Sequence, residues 1–286
     1  VVVSGTTDRV IKVDGRLVAI GASDNPITFT SQAGSAGGQW DGLAFHPGSS
    51  GVLRYGSLRY GGTYNGTAIS SLSVDGTSGV TLDHFQILDG ASPGEASHGL
   101  SVLGGARLAA SDLVIGGHTG SGVWVENATL TLSSTQVMSN ATGVGLGTGA
   151  AITLTGNVLQ GNSGYGLDAQ SVTGQMGLGG NSFVNNGTSM RLWADVVRSD
   201  NFTGNTFSGS NTAVEFVGGV LNASTTWPAL SGHVYKLLDH VNINAGKTLT
   251  VQAGVTVQTV AERGLKVYGA LTTLGTASDP ITFTSV

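Results

Sequence analysis

The sequence contains no cysteine, only 10% charged residues and only 6% aromatic residues. Without cysteine the chain has no disulfide, no thiolate metal site and no cysteine nucleophile. Its 12 basic residues are scattered and the formal net charge is −5, so it has no basic patch of the kind that binds nucleic acid. No apolar run reaches the length of a membrane-spanning helix. These absences exclude a disulfide framework, a nucleic-acid-binding surface and a membrane-spanning segment.

Glycine and short apolar runs are abundant instead. The chain of 286 residues has 47 glycines, and 40% of its residues are hydrophobic. The apolar residues come as short runs rich in Val, Ile and Leu, separated by Gly, Asn, Ser and Thr. A disordered chain would lack this apolar content. The composition is therefore typical of an all-β protein with many turns.

One short phrase recurs at a step of 24 residues. Each copy is a Gly-Asn pair with an apolar residue two places after the Asn: Gly156-Asn157 with Leu159, Gly180-Asn181 with Phe183, and Gly204-Asn205 with Phe207. This spacing indicates a chain that returns to the same lateral position once per coil. We expect an interior ladder of the three apolar side chains and an amide ladder of the three Asn side chains. Carbohydrate contact is the functional alternative for these Asn residues.

A second, longer period relates the two ends of the sequence. Residues 1–31 align without a gap with residues 255–285, and both segments contain the run Pro-Ile-Thr-Phe-Thr-Ser. We interpret them as equivalent segments of a 254-residue super-repeat. Residues 219–254 break the coil pattern and are interpreted as the junction that opens the next super-repeat. No linker composition separates them from the rest, so residues 1–286 are predicted to form one continuous solenoid.

The coil step, the Gly-Asn corners and the run from Pro26 through Trp40-Asp41-Gly42-Leu43 resemble the right-handed parallel β-helix of the pectate-lyase-like superfamily. Within it, the chain most resembles the large repetitive secreted β-helix proteins of bacteria. The resemblance covers essentially the whole chain. It implies an all-β fold, a single-stranded right-handed parallel β-helix of about 12 coils with roughly 21–29 residues per coil.

The resemblance also implies what a catalytic site would look like. Polysaccharide lyases of this fold use carboxylates on neighbouring coils to hold calcium, together with a basic residue. Here the carboxylates that follow the first strand of each coil alternate with neutral residues: Asp75, Glu126 and Asp168. The alignment puts Glu126 and Asp168 two coils apart, roughly 9.6 Å, near the upper end of the separation of about 6.5–9.5 Å in inverting glycosidases. They form a candidate acid/base pair, with Trp124, Arg191 and Trp193 as candidate ligand contacts. The alternative is that these charges are spaced on an exposed strand to limit repulsion.

A second group of ionisable residues comprises Asp83-His84, Asp89, Asp112 and Arg107. His84 and Asp112 align across one coil step, and an ion pair is the simpler interpretation than a catalytic dyad. No calcium-binding repeat and no His pair with zinc-ligand spacing occurs. The sequence therefore predicts no metal site and no cofactor.

The leading interpretation is a non-enzymatic structural or adhesive β-helix, located outside the cell or at the cell surface. Three observations support it. The content of charged residues is low, the carboxylates that follow the first strand of each coil do not lie on adjacent coils, and the 254-residue super-repeat begins again before the sequence ends. We expect the solenoid to continue into flanking repeats or to associate end to end with other copies, because neither end carries a polar cap. The alternative function is binding or degradation of polysaccharide on the strand face around Trp124, Glu126, Asp168 and Arg191.

Overall fold

The computed structural model describes residues 2–3, 10–32, 35–64, 67–68, 70–90, 96–170, 175–202, 204–209, 213–230 and 232–286. Residue 1 and residues 4–9 of the predicted repeat segment 1–31 lie outside the described residues.

One sheet, called the long sheet, receives one strand from each coil. Neighbouring strands are parallel and follow chain order, so each coil stacks on the one before it. Its 12 strands are Val10–Val13, Gly42–Phe45, Ser70–Asp75, His98–Leu103, Ser121–Val125, Thr142–Leu146, Tyr165–Ala169, Thr188–Leu192, Ala213–Phe216, Val234–Leu237, Thr256–Thr259 and Thr282–Ser285.

A second sheet of 14 strands contains two rows and is called the double-row sheet. The rows are joined because the strands Ser50–Arg59 and Gly79–Leu88 bend in the middle and pair in both rows. The other strands are Val2–Val3, Arg16–Ile20, Ile27–Ser31, Arg107–Ser111, Val114–Gly116, Thr129–Ser133, Gln136–Met138, Ala151–Thr155, Val158–Gln160, Met176–Gly179, Ser182–Val184 and Thr206–Ser208.

The last coils form two sheets of three strands each. One contains Gly219–Leu221, Val241–Ile243 and Leu265–Val267, and the other contains Thr225–Trp227, Thr248–Gln252 and Ala270–Leu274. Two 3-10 turns, Ala194–Val196 and Ser199–Phe202, and the antiparallel pair Thr63–Tyr64 with Thr67–Ala68 complete the described elements. None of the described helices has the length and hydropathy needed to cross a bilayer. The prediction of a parallel β-helix is confirmed.

The core is a set of apolar columns that run along the solenoid axis. At one inward position of the long sheet every described coil from the second to the eleventh places a side chain that is at most 1% exposed. The β-helix is held together here by apolar burial, at about 25 cal/mol per Å². The column consists of Leu43, Leu72, Leu100, Val123, Val144, Leu167, Met190, Val214, Tyr235 and Val257.

Leu159, Phe183 and Phe207 occupy one inward position of successive coils in the double-row sheet. Leu159 and Phe183 are fully buried, and Phe207 is half-buried. The rings of Phe183 and Phe207 are stacked, with centroids 5.2 Å apart. The apolar residue after each Gly-Asn pair therefore fills the interior.

The Asn side chains at the same corner are hydrogen bonded in series. The Asn157 Nδ2 donates to Asn181 Oδ1 at 3.0 Å, and the Asn181 Nδ2 donates to Asn205 Oδ1 at 2.9 Å. Each Oδ1 also accepts the backbone N–H of the Asn in the preceding coil. The Asn181 Nδ2 further donates to the backbone carbonyl of Leu154 at 2.9 Å. The amides thus satisfy backbone groups that the corner would otherwise bury without a partner.

A second amide column lies at the next corner. Asn140, Asn162 and Asn186 are joined in the same way, at 3.1 Å and 2.8 Å. The position before Asn140 holds His118, whose backbone N–H donates to Asn140 Oδ1 and whose Nε2 lies 3.1 Å from the carbonyl of Ile87. The imidazole Nε2–H thus donates to a backbone carbonyl, as the Nδ2–H of Asn140 does to the carbonyl of Ile115 in the next coil. Burial lowers the pKa of His118 to about 4, with Asp89 opposing this shift and His98 adding to it.

The two repeat segments form strands in the same order but in different sheets. Val10–Val13 belongs to the long sheet, whereas Leu265–Val267 belongs to a three-stranded sheet. Ile27–Ser31 lies in the double-row sheet, whereas Thr282–Ser285 lies in the long sheet. The same sequence thus builds different walls, because a strand with one apolar face can pack on any side of the solenoid.

Replacing Asn181 by Ala is expected to lower the free energy of unfolding by about 2–4 kcal/mol, because two or more buried polar groups lose partners at about 1–3 kcal/mol each. Chemical denaturation measures the change. The matched control is Asn244→Ala, since Asn244 also donates to an Asn one coil away, Asn222, at 2.9 Å but in an exposed position. The control should change stability by less than about 0.5 kcal/mol. Equal effects of the two substitutions would contradict the role assigned to the buried ladder.

His118 is expected to make the fold sensitive to mild acid. Its folded pKa of about 4 lies below the ordinary value of 6.5, so the unfolded chain binds an extra proton between these values. Stability is therefore complete above pH 6.5 and falls as pH decreases toward 4, by about 3 kcal/mol in total. His118→Asn, which copies the residue of the next three coils, should flatten this dependence. Melting temperatures between pH 7 and pH 4 measure it, and parallel curves for the two proteins would refute the assignment.

Candidate functional site

One outward position of the long sheet forms a column of side chains, called the outer column. The strand register places its members on successive coils. From the second coil to the tenth, small residues come first, an indole stands in the middle and charged groups come last. These members are Ala44, Ser73, Ser101, Trp124, Gly145, Asp168, Arg191, Glu215 and Lys236, with Lys12 before them and Gln258 and Thr284 after them.

The register corrects the alignment of Glu126 with Asp168. Asp168 pairs with Gly145, and Gly145 pairs with Trp124, so Asp168 shares the column of Trp124. Glu126 lies two residues beyond Trp124, outside this column. The sequence alignment shifted the strand around Asp168 by two residues. A pattern with a period of two residues does not distinguish such a shift, because the same face stays buried.

Asp168 is held by Arg191 on the next coil. The Arg191 Nε donates to Oδ1 at 3.1 Å and the Nη2 donates to Oδ2 at 2.5 Å, a bidentate arrangement. The guanidinium also lies 3.9 Å from the ring centroid of Tyr165. The hydrogen bond to Asp168 raises the pKa of Arg191. Because both carboxylate oxygens accept from Arg191, Asp168 is arranged as an ion-pair partner and not as a free proton acceptor.

The next two coils add a second pair, with Lys236 Nζ 3.3 Å from Glu215 Oε1. Four successive positions therefore alternate in sign: Asp168, Arg191, Glu215 and Lys236. The side chains of the first pair are 18–21% exposed. In this charge ladder each charge is neutralised by a neighbour of opposite sign. Asp168 and Arg191, which the sequence predicts as candidate site residues, are both members of it.

Trp124 stands above the glycines of the following coil. A Cβ added to Gly145 would lie 2.9 Å from the indole, and one added to Gly147 would lie 3.0 Å from it. The imidazole of His98 stacks on the indole at 5.3 Å with planes 13° apart. The Trp124 Nε1–H points to Glu126 Oε2 at 3.4 Å. The two glycines therefore make room for an indole that forms a wall on the sheet surface.

A trough of about 400 Å³ lies on the small-residue side of this wall. Its lining combines aromatic rings, hydroxyl groups, carboxylates and apolar side chains: Trp124, His98, Ser70, Ser73, Ser101, Asp41, Glu126, Val10, Leu43, Ala44 and Leu103. His98 Nδ1 accepts the backbone N–H of Ser121 at 2.9 Å, and burial lowers the pKa of His98. His98 is thus a neutral ring with its proton on Nε2. His98 is not among the site residues predicted from the sequence, although it precedes the apolar alternation of the strand His98–Leu103; in the structure it pairs with Ser70 of the preceding coil.

Arg191 and Trp193 do not line this trough. The Trp193 Nε1–H donates to Asp195 Oδ2 at 2.5 Å, and Asp195 also accepts the backbone N–H of Val220. Asp195 therefore joins the 3-10 turn Ala194–Val196 to the strand Gly219–Leu221, and Trp193 donates its indole N–H to this carboxylate. Of the site residues predicted from the sequence, Trp124 and Glu126 line this trough. Arg191 and Trp193 do not.

The second predicted group separates into two parts. Asp83, His84 and Asp112 each offer a ligand atom within 4.8 Å of the others. Asp89 instead pairs with Arg59 at 3.1 Å. Burial by itself would raise the pKa of Asp83, but hydrogen bonds from His84 and Ser111 and the charges of His84 and Arg54 lower it overall. Asp83 therefore remains a carboxylate in mildly acidic solution.

A family profile described as periplasmic copper-binding protein (NosD) matches residues 59–247, about two thirds of the chain. The chain belongs to the NosD family. This family consists of right-handed parallel β-helices of the pectate-lyase-like fold, which agrees with the stacked coils. The search of curated proteins found no significant match.

The NosD match includes the trough wall, the charge ladder and the Asp83–His84–Asp112 group. One imidazole and two carboxylates are a donor set that suits divalent transition metals, copper included. In the part of the chain that the structure describes, this is the one group of three or more such side chains close enough to hold an ion.

Breaking the charge ladder is expected to destabilise the fold. Arg191→Met should lower the free energy of unfolding by about 1–3 kcal/mol, because a half-buried carboxylate loses its charged donors. Asp168→Asn combined with Arg191→Met should destabilise less than the sum of the single changes, by about 1 kcal/mol or more. Urea unfolding of the four proteins measures this coupling. The pair Glu215 and Lys236, joined by one contact of 3.3 Å, should couple more weakly, and additive effects at Asp168 and Arg191 would contradict the ladder.

Proposed function

We propose that this chain is a non-enzymatic β-helix that serves as a structural and adhesive element outside the cytoplasm. The observation that carries the proposal is the charge ladder of the long sheet. The carboxylate of Asp168, which the sequence marked as a candidate acid or base, is engaged by Arg191 through both oxygens. The NosD family description supports a periplasmic or secreted location.

The proposal extends to adhesion through the trough beside Trp124. An indole wall with serine hydroxyls below it suits a sugar ring, since aromatic faces stack on apolar C–H surfaces and hydroxyls exchange hydrogen bonds. The ligand class is therefore a polysaccharide, bound on the face that includes Trp124 and Glu126. Degradation of the bound polysaccharide is the competing function.

The shaft role includes stacking of further β-helix coils. The last coil exposes Phe283 and Val267 by 50% and 45%, whereas the matching residues of the first segment, Phe29 and Val13, are 3% and 6% exposed beneath the coils that follow them. Coil-on-coil packing therefore buries these side chains where a further coil is present. We propose that this face receives another coil of the same type.

A second candidate function is metal binding. The NosD family description names copper, and we extend this to the chain as binding of a divalent transition metal. The observation that favours it is the convergence of Asp83, His84 and Asp112.

Binding without turnover is the expected result when the protein is incubated with polygalacturonate, alginate and xylan. Reducing ends and unsaturated products should not form, while immobilised polysaccharide should retain the wild type more strongly than Trp124→Ala. Glu126→Gln and Asp168→Asn test for catalysis, with Asp75→Asn as the matched carboxylate control. Product formation that the first two substitutions abolish and the control keeps would overturn the non-enzymatic proposal.

A further inference from the structure

The group of Asp83, His84 and Asp112 lies at the corner between the two rows of the double-row sheet. Register pairs Asp83 with Ser111, so the residues that follow them, His84 and Asp112, occupy the same corner position of adjacent coils. Both have left-handed backbone, with φ of 47° and 55°. Three later coils have a glycine with positive φ at this corner: Gly156, Gly180 and Gly204.

Contacts within the group engage Asp83 and leave the carboxylate of Asp112 available. Asp83 Oδ1 lies 2.6 Å from His84 Nδ1 and accepts from Ser111 Oγ at 3.2 Å, and Asp83 Oδ2 lies 2.8 Å from Arg54 Nε. The separation of 2.6 Å between this carboxylate oxygen and this imidazole nitrogen is a hydrogen-bond distance, whereas two ligand atoms bound to one metal ion at about 2.0–2.2 Å lie roughly 3 Å apart. A small opening of this contact would therefore place an ion between them.

The local charge is not balanced by the protein. Asp83 is compensated by Arg54. The Asp112 carboxylate has no hydrogen-bond or ion-pair partner among the described residues, although it is within 4.8 Å of the Asp83 and His84 ligand atoms. Two carboxylates this close repel each other, and a cation between them removes the repulsion. This second observation distinguishes the group from an ordinary exposed ion pair.

The group is also accessible. His84 and Asp112 line an open groove of about 480 Å³ between the corner and the loop around Ser23 and Pro26. The ring of Tyr55, which holds the same corner position in the preceding coil, lies 4.9 Å from the ring of His84. An ion can enter from solvent, and water can complete its coordination.

We propose that Asp83, His84 and Asp112 form a site for a divalent transition-metal ion. Imidazole favours copper, zinc and nickel over calcium and magnesium, and among these ions the general order of affinity places copper highest. The site rests on the second candidate function given above, and it names the residues that perform it.

The chain contains a matched control for this site. His46 Nδ1 lies 2.7 Å from Asp14 Oδ1, and both side chains are exposed, as His84 is, whereas Asp83 is 18% exposed. Among the described residues no third ligand side chain joins His46 and Asp14. The control pair thus reproduces the His–Asp contact without the second carboxylate.

Copper(II) binding should be measured by isothermal titration and by electron paramagnetic resonance on the full chain, for the wild type, His84→Asn, Asp112→Asn, His46→Asn and Asp14→Asn. Asn is chosen because it tolerates the left-handed backbone of the corner. The wild type should bind one ion with a spectrum that shows imidazole nitrogen. His84→Asn and Asp112→Asn should weaken binding at least tenfold, and the two control variants should stay within twofold. Circular dichroism confirms that each variant folds.

The outcomes separate the site from the function. Copper binding that all variants retain, or that His46→Asn reduces as much as His84→Asn, overturns the site while leaving metal binding by the chain intact. No binding of copper, zinc or nickel by the wild type overturns both the site and the second candidate function. Equal affinity for calcium and copper overturns the imidazole-based selectivity.

Discussion

Satisfaction of the corner backbone is the constraint on which the rest of this β-helix depends. A coil that turns sharply into a new wall points backbone N–H and C=O groups into an interior without water, where an unpaired group is costly. The amides of Asn157 and Asn181, which are buried, and of Asn205, which is half-buried, accept backbone N–H groups of the preceding coil and donate to backbone carbonyls inside. Each amide therefore fixes the height and the phase of the next coil. The apolar columns add the burial energy. In the coils that carry them, the Asn amides bind the backbone groups of the corner.

Rigid stacking of this kind makes the outer surface a set of columns whose members come from different coils. The charge ladder arises because Asp168, Arg191, Glu215 and Lys236 occupy one outward position at the strand spacing. The same geometry creates the Trp124 wall, since Gly145 and Gly147 leave space one coil away. It also brings Asp112 next to His84 across a coil step. The groups of side chains that meet on the surface of this fold therefore combine residues of different coils that are distant in the sequence.

Much of the fold could be predicted from the sequence, and less of the site. The step of 24 residues placed the three Gly-Asn pairs at one corner, and the hydrogen bonds join their side chains in that order. The outer column was harder, because an alternating strand fits its neighbour equally well after a shift of two residues. That degeneracy put Asp168 beside Glu126 in the alignment, whereas the register puts it beneath Trp124. Trp193, a candidate ligand contact in the sequence, instead binds Asp195 through its indole N–H.

The sequence by itself determined the all-β class, the coil repeat and the identity of the corner and core residues. These follow from periodicity, because a residue that recurs once per coil must stack on its equivalent. Only the tertiary structure decided which side chains meet on the surface: the bidentate pair of Asp168 and Arg191, the stack of His98 on Trp124, and the group of Asp83, His84 and Asp112. It also decided that the two matching segments form different walls. The physical reason is that coil lengths vary, so contacts between coils depend on how the intervening turns are accommodated and not on sequence spacing alone.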